Sequence, residues 1–420
     1  MDYSGLNHTE LPTEERPFAK IFTKKDQKQV GLVSHPYRKC CLLATQVHQI
    51  AYSNPALSDK LSAWPEISDQ LFHSAEYFLT QANYMSDVRP LFIGVDVGGT
   101  NIKIGIVDDE GRTVAKTKFP TMADKEPSLS IDKAKESIDK LLAECDRKLD
   151  DVAAVGLGTP GPMDIRSGVI LTPSNLPGWR HAPVRDLLSK ATGKPVTYAN
   201  DASAAAFGEF WIGSGRQYSS LVLITLGTGV GGGIIVDNVS IDGAHSHGAE
   251  IGHMTIDTSD SARQCPCGHV GHLEAYASAT AVVARCSEAL ASGAQSMLTQ
   301  EIGEASPLSA LMISQAADKG DELSLSIIDE TAKYLGHGIA SLAHLIDPEA
   351  FILGGAMDFG GSQAHVGRRF IDGTIETVKK HVFPVLAEEL VVRFASLGGD
   401  AGYVGAAGLA RAEFLKGQSA

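Results

Sequence analysis

Residues 91–107 read LFIGVDVGGTNIKIGIV, two apolar runs separated by a turn that contains paired glycines. The run 91–95 predicts a buried strand, and the alternation in 102–107 predicts a second strand folded back on the first. Paired glycines let backbone N–H groups approach a phosphate, and a neighbouring carboxylate would hold a magnesium ion or its water. A plain hairpin without a ligand fits this stretch alone equally well. The predicted nucleotide contacts are Asp96, Gly98, Gly99, Thr100, Asn101 and Lys103, the lysine to neutralise phosphate charge.

The arrangement repeats in residues 221–236, where an apolar strand is followed by a Gly/Thr-rich turn and a second strand at 234–236. The turn is not a Walker loop, because it lacks Gly-Lys-Ser/Thr, and no helix follows it as in a Rossmann fingerprint. Two such hairpins indicate two related halves that hold one nucleotide. A later strand, 350–353, ends in a glycine pair where the backbone would approach an adenosine. The predicted contacts are Gly227, Thr228, Gly229 and Gly231 for the phosphates, and Gly354 and Gly355 for the adenosine.

Strands alternate with helices along the rest of this part of the chain, which predicts an α/β fold. Loops 158–164 and 175–179 follow predicted strands or turns, and loops at strand ends in such folds bind ligands. Asn175 offers both a donor and an acceptor, which suits a ligand rich in hydroxyl groups. Each loop taken alone is more typical of a plain turn. The predicted helices are 129–149, 202–211, 275–292, 308–320, 323–346, 373–383 and 402–415.

Asn200 and Asp201 stand between a predicted strand, 195–199, and the alanine-rich helix 202–211. Either residue would cap the helix, since both are common N-cap residues. A carboxylate at this junction would also accept a proton from a substrate hydroxyl, and the helix dipole would help to keep it ionised. Both roles are compatible.

Residues 250–274 contain a set of metal-binding side chains in the order His, Cys, Cys, His, with eleven, one and four residues between them. Two thiolates and two imidazoles suit a tetrahedral zinc site. Glycines at 268 and 271 would let the chain turn tightly around the ion. A carboxylate lies just outside each end of the set. A metal site is favoured over unremarkable cysteines, with His253, Cys265, Cys267 and His272 as ligands and Glu250 and Glu274 as their neighbours.

The composition of the chain limits the classes of partner that the protein is expected to bind. The 420 residues carry a formal net charge of −14, which argues against broad electrostatic binding to nucleic acid or to an anionic membrane. No apolar run approaches the roughly 20 residues that span a bilayer, and no charged-then-apolar signal begins the chain. Six cysteines in a chain of this length do not indicate a disulfide framework. A reducing cytoplasm is the expected location.

Residues 1–90 differ from the rest because glycine is scarce and apolar residues recur at helical spacing. Two or three helices are expected. The segment has nine Lys+Arg against ten Asp+Glu, a net of −1, and no basic second helix of a helix-turn-helix. A helical cap or an oligomer contact is therefore favoured over a DNA-binding head.

Taken together, these motifs resemble the ROK family of sugar kinases and repressors over about residues 91–420. The phosphate motifs 96–100 and 227–233, the Asn-Asp pair and the 250–274 stretch match the family's motifs in order. The resemblance implies an actin-like, hexokinase-type ATPase fold with two lobes. One departure is His272, where the family usually has a third Cys; histidine is a competent zinc ligand, and His269 is a less well matched alternative. The implied domains are the extension 1–90, a small lobe 91–211 and a large lobe 212–420, the last helix returning to the small lobe.

The resemblance further implies ATP-dependent phosphorylation of a hexose, first of all glucose, at its primary hydroxyl, with Asp201 as the general base. The implied cofactors are ATP, Mg²⁺ and a structural Zn²⁺, and a homodimer or homotetramer is expected. Rival functions are a kinase for N-acetylmannosamine, N-acetylglucosamine, fructose or allose, and a repressor that binds sugar without phosphorylating it. His253 would bind zinc through one ring nitrogen and a sugar hydroxyl through the other. The implied sugar contacts are Gly161, Asn175, Asn200, Asp201, Glu250, His253 and Glu274.

Overall fold

The computed structural model describes residues 90–302 and 307–419. Residues Arg89–Ala420 form one compact unit. The helices expected in the N-terminal extension lie outside the described residues. Within the described part, buried apolar strands form two five-stranded sheets, each covered by helices.

The first sheet contains the strand pair that opens this compact unit. Its order is β3-β2-β1-β4-β7, with β1–β2 and β2–β3 antiparallel and β1–β4 and β4–β7 parallel. A small hairpin, β5–β6, follows β4. The strands are β1 (Leu91–Val97), β2 (Asn101–Val107), β3 (Thr113–Pro120), β4 (Val152–Thr159), β5 (Met163–Asp164), β6 (Val169–Ile170) and β7 (Val196–Asn200).

The second sheet repeats this plan. Its order is β10-β9-β8-β11-β12, again with three antiparallel strands beside two parallel ones. Since both sheets have the same order and directions, the two hairpins occupy equivalent places in two related halves. The predicted two-lobed ATPase fold is therefore confirmed. The strands are β8 (Leu221–Leu226), β9 (Val230–Val236), β10 (Val239–Ser240), β11 (Ala350–Gly354) and β12 (Val391–Phe394).

The helices cover the sheets with their apolar sides. The longest, which is α8, buries twelve of its 25 residues, seven of them in the hydrophobic core of the second half. The described helices are α1 (Pro127–Glu144), α2 (Val184–Thr192), α3 (Asp201–Trp211), α4 (Glu274–Ala277), α5 (Ala279–Ala291), α6 (Leu298–Glu301), α7 (Ala310–Asp318), α8 (Glu322–Ile346), α9 (His365–His381), α10 (Pro384–Glu389) and α11 (Ala401–Ser419).

The last helix, α11, packs on β1 and β4 of the first sheet and on α3. Glycines make this close packing possible. A methyl group at Gly94 would overlap the carbonyl of Tyr403, and one at Gly156 would overlap that of Ala406. The C-terminal helix therefore returns to the first half and rests on the strands that end at the candidate site.

Several element boundaries differ from the predictions. Helix α1 ends at Glu144 instead of 149, because Asp146 adopts a left-handed φ of 53°. The helix predicted for 275–292 is two helices, since Ser278 is extended and its hydroxyl caps α5 by accepting from Ala281 N at 3.1 Å. Helix α9 begins at His365, eight residues before the predicted start at 373. Strand β9 begins at Val230, so the second turn is shorter than predicted.

Candidate active site

The candidate site lies at the carboxyl ends of β1, β4 and β7. Because these strands are parallel neighbours, their ends meet at one edge of the sheet. Asp96 near the end of β1 pairs with Gly158, and Thr159 at the end of β4 pairs with Asn200. The predicted magnesium carboxylate and the predicted catalytic pair therefore lie at the same edge of the sheet, at the ends of two strands that flank β4.

Asp201 is the first residue of α3. The Asn200 side chain caps this helix by accepting from Ala202 N at 2.9 Å and Ser203 N at 3.3 Å. The Asp201 carboxylate also accepts from Ala202 N, at 2.8 Å. Burial, and then the negative charge of Asp96, raise the pKa of Asp201 to about 6, with a smaller contribution from Glu250. Desolvation and like charges therefore act against the helix dipole, which was expected to keep this carboxylate ionised.

Asp96 faces the positive charge of Lys103. The two side chains are 3.8 Å apart, and Lys103 Nζ donates to Gly399 O at 2.7 Å. Burial raises the pKa of Asp96, which the lysine partly offsets. Gly402 in the first turn of α11 packs directly on this carboxylate, since a methyl group there would lie 2.5 Å from Asp96 Cγ. Lys103, predicted to neutralise phosphate charge, thus contacts Asp96 and the 3₁₀ turn Gly398–Asp400 that precedes α11.

The first turn is a tight hairpin closed by Gly98 N donating to Asn101 O at 2.9 Å. Thr121 supports it from β3's end by donating its hydroxyl to Gly98 O at 2.7 Å and its N–H to Thr100 O at 2.9 Å. A methyl group at Gly99 would lie 3.1 Å from Asn175 Nδ2. The structure therefore brings Asn175, predicted to bind sugar, against the first phosphate turn.

The other predicted sugar residues approach one another from both halves. A methyl group at Gly161 would lie 3.8 Å from Glu250 Oε1 and 3.9 Å from Asn200 Nδ2. Glu250 directly precedes a short 3₁₀ turn, Ile251–His253, which presents an exposed His253. Gly161, Asn200 and Glu250 are thus close in space although they are distant in sequence, and His253 is joined to Glu250 by its backbone N–H, which donates to Glu250 O at 3.0 Å.

The second phosphate turn, defined as Gly227–Val230, connects β8 to β9. Gly229 packs against the Glu274 carboxylate, which accepts from Val230 N at 2.9 Å. Gly231 lies within β9 and not in the turn, because the strand already begins at Val230. In the ladder between β8 and β9, Gly231 lies opposite Thr225.

The predicted adenosine loop lies beside the second phosphate turn. Gly354 is the last residue of β11, and Gly355 follows with a φ of +96°. A side chain at Gly355 would overlap the backbone of Leu226, the last residue of β8. Met357 N also donates to Leu226 O, at 2.9 Å. This glycine pair therefore packs closely against the end of β8, next to Gly227, with Gly354 buried and Gly355 exposed.

The four predicted metal ligands form one cluster. Their ligand atoms all lie within 4.8 Å of one another, with Cys267 Sγ 3.2 Å from His272 Nδ1 and Cys265 Sγ 3.9 Å from His253 Nδ1. A tetrahedron with zinc bonds of about 2.0–2.3 Å has edges of about 3.3–3.8 Å, so the donor set and its spacing fit zinc. His269 stacks on His272 with ring centroids 5.7 Å apart and is not part of the set of four.

Sequence reasoning missed two contacts that hold the site together. Thr280 donates its hydroxyl to Thr228 O in the second phosphate turn, at 2.8 Å. Ser246 accepts from Ile165 N at 3.0 Å, which joins the loop before Glu250 to the β5–β6 hairpin. A serine or threonine in a loop carries no distinctive pattern, so only the folded structure reveals either contact.

Two glycine hairpins, a carboxylate at a helix start and a convergent set of polar side chains are the features that the resemblance implies for a two-lobed sugar kinase of the hexokinase type. None of the described helices is long and apolar enough to cross a membrane.

Comparison with known proteins agrees with this class. The model of the ROK family matches residues 92–413, and the chain belongs to this family. A glucokinase of Halalkalibacterium halodurans is 36% identical over 318 residues, 75% of this chain and 93% of the relative. The crystal structure of a ROK family glucokinase from Streptomyces griseus, in complex with glucose and AMPPNP, matches with a TM-score of 0.62 and 35% identity, over 77% of this chain and 99% of that chain.

Repressors are also among the relatives. A xylose repressor of Caldicellulosiruptor bescii is 31% identical over 274 residues, which are 64% of this chain and 66% of the repressor. The family and the glucokinase relatives support the predicted class, an ATP-dependent sugar kinase.

Proposed function

We propose that the protein transfers the γ-phosphoryl group of ATP to the primary hydroxyl of a hexose, glucose first of all. The observation that carries this proposal is the convergence of Asp201 with Gly161, Asn200 and Glu250 at one edge of the sheet, beside the first phosphate turn. A hexose held there would have one hydroxyl at the Asp201 carboxylate and the nucleotide phosphates beyond it.

Asp201 is the proposed general base. Its carboxylate accepts the proton of the primary hydroxyl as the hydroxyl oxygen attacks the γ-phosphorus and the bond to the ADP leaving group breaks. A pKa of about 6 leaves the carboxylate mostly ionised near neutral pH and brings it closer to the operating pH than that of an ordinary aspartate. Phosphoryl transfer depends mostly on positioning and electrostatics, so a fixed carboxylate of this kind suffices.

The two glycine turns are the proposed phosphate contacts, and the Gly354–Gly355 pair is the proposed adenosine contact. Magnesium, when bound with the nucleotide, supplies positive charge to the phosphate oxygens. Asp96 is the residue we assign to hold the ion or one of its waters, with Lys103 limiting the repulsion between its carboxylate and Asp201. Thr100 and Asn101, which complete the first turn, are proposed to contact the same phosphates.

The zinc that the family implies would be held by His253, Cys265, Cys267 and His272. Four protein ligands fill a tetrahedral site and leave no position for a reacting water. Its role is therefore structural. Ligation through one ring nitrogen of His253 would fix its tautomer and leave the other nitrogen as an oriented partner for a sugar hydroxyl. We also propose a homodimer or homotetramer in the cytoplasm.

The repressor alternative is motivated by the xylose repressor relative. The presence of Asp201 and of both phosphate turns favours catalysis instead, and the N-terminal 90 residues carry a net charge of −1, which is unlike a DNA-binding head. Fluorescence anisotropy with random duplex DNA at physiological salt separates the two functions, since binding would support the repressor.

The proposal is tested by ADP release coupled to NADH oxidation across a panel of sugars. We expect glucose to stimulate ADP formation most strongly, because the proposed contacts grip hydroxyl groups. If N-acetylmannosamine, N-acetylglucosamine, fructose or allose is turned over faster than glucose, that sugar becomes the proposed substrate. No stimulation by any sugar would refute the kinase.

A further inference from the structure

We propose that the segment Glu274–Thr280, which follows the zinc cluster, positions the second phosphate turn, so that the metal site controls nucleotide binding as well as sugar binding. This inference rests on the proposed function for the identity of the ligand. Its first support is a set of three hydrogen bonds from the segment to the turn. Glu274 accepts from Val230 N at 2.9 Å, Ala279 N donates to Gly227 O at 2.8 Å, and the Thr280 hydroxyl donates to Thr228 O at 2.8 Å.

All three hydrogen bonds reach the turn from the same segment, Glu274–Thr280. Two of them use backbone carbonyls of the turn and one uses the N–H of Val230. The orientation of the remaining N–H groups, which a phosphate would use, is therefore set by the position of α4 and the start of α5. Gly229 is in direct contact with the Glu274 carboxylate, so a side chain at 229 would displace it.

The same segment is fastened to the metal cluster. The proposed ligand His272 lies two residues before Glu274, and Leu273 N donates to Met254 O at 2.9 Å, next to His253. Cys265 packs against Ala275 and Tyr276 of α4 in a small buried cluster. Displacement of the metal loop would therefore move α4 and the groups that hold the turn.

Tyr276 ties the loop to α4 a second time. Its hydroxyl donates to Asp257 Oδ2 at 2.7 Å and accepts from Arg263 N at 2.7 Å. The loop thus has contacts that do not need the metal, and we expect zinc removal to loosen the phosphate turn rather than to unfold it.

Thr280→Val tests the contact nearest to the turn without touching the metal ligands or the proposed sugar residues. Loss of one hydrogen bond worth about 0.5–1.5 kcal/mol corresponds to weaker binding by about 2- to 12-fold. We expect the Kd of a non-hydrolysable ATP analogue with Mg²⁺, measured by calorimetry without sugar, to rise by this factor. Zinc content by mass spectrometry and the sugar Kd should not change. Thr299→Val, an exposed threonine on α6, is the matched control.

Glu274 provides a second test that distinguishes positioning from general damage. Glu274→Ala removes the acceptor for Val230 N and should weaken nucleotide binding, whereas Glu274→Gln retains an amide oxygen and should restore most of it. Zinc removal with a chelator should weaken nucleotide binding in the native protein. Zinc removal should weaken nucleotide binding less in the Glu274→Ala/Thr280→Val double variant than in the native protein. The variant already lacks two of the three hydrogen bonds that join the segment to the phosphate turn.

A Thr280→Val protein with the nucleotide Kd of the Thr299→Val control overturns the inference. So does zinc-free, folded protein that binds the analogue as tightly as the zinc-loaded protein. Since these are binding measurements without turnover, a protein that passes them and yet phosphorylates no sugar would contradict the proposed function alone.

Discussion

Replacing Asp201 by Asn should make the protein more stable while it abolishes turnover. Burial and the charges of Asp96 and Glu250 raise the pKa of Asp201 from 3.8 to about 6. A raised pKa means that the carboxyl group binds its proton more tightly in the folded state than in the unfolded state. Above pH 6 the group is nevertheless ionised when folded, and this ionisation opposes folding. An amide of the same shape avoids this cost and can still accept from Ala202 N.

The magnitude follows from the shift. About two pKa units correspond to about 3 kcal/mol at pH 7.5, where the carboxyl group is ionised in both states. At pH 5 the folded-state carboxyl is mostly protonated and the difference falls to roughly half, and below pH 4 it disappears. With an unfolding entropy of about 2.1 cal/mol/K per residue over roughly 330 residues, 3 kcal/mol raises Tm by about 4 °C.

Differential scanning calorimetry of native and Asp201→Asn protein at pH 7.5 and pH 5 measures this gain. Asp132→Asn, an exposed aspartate on α1, is the control and should leave both Tm values unchanged. Turnover of the Asp201→Asn variant should fall by several orders of magnitude with the sugar affinity largely retained, because the base is lost and the sugar contacts remain. A variant with native or lower Tm at pH 7.5 would refute the electrostatic argument, and one with near-native turnover would refute the assignment of the base.

Three further results are expected. Since Asp201 acts ionised and its pKa is about 6, kcat/KM for the sugar should fall about tenfold per pH unit below pH 6; a rate that is flat from pH 7 to pH 5 contradicts this. Gly402→Ala should lower kcat and raise KM for MgATP by at least tenfold, because the methyl group would lie 2.5 Å from Asp96 Cγ. Gly417→Ala is the control and should retain activity, since no heavy atom lies within 4 Å of the added methyl group. His272→Ala should lose zinc and weaken sugar binding together in metal analysis and calorimetry; zinc loss with unchanged sugar affinity would mean that the metal does not orient His253.

Local sequence patterns predicted the α/β class, and the resemblance to the ROK family supplied the two-lobed ATPase fold. Buried strands in parallel sheets are short apolar runs, and residues 91–97 and 221–226 show this pattern at the start of each half. The repeated strand–turn–strand pattern then indicated two related halves. Boundaries such as the early end of α1 depend on a single left-handed residue, which periodicity does not reveal.

The residues that the structure brings together at the candidate site could be predicted where titratable or metal-binding side chains stand at strand ends or close together in sequence. The four cluster residues could be chosen from spacing and family resemblance, and the structure brings their ligand atoms together. The positions of Lys103 and Gly402 could not be foreseen, because both depend on where the last helix begins. Thr280 and Ser246 act through single hydroxyl groups that contact distant backbone, and no local pattern distinguishes them from surface residues.

The most direct test of the central claim compares glucose with 6-deoxyglucose in the coupled ADP assay. The two sugars share every hydroxyl that the proposed contacts would grip, and differ only in the primary hydroxyl from which Asp201 would take a proton. Glucose should stimulate ADP release and yield a product phosphorylated at the primary hydroxyl, while 6-deoxyglucose should bind without turnover. Equal ADP release with both sugars, or none with either, would contradict the account.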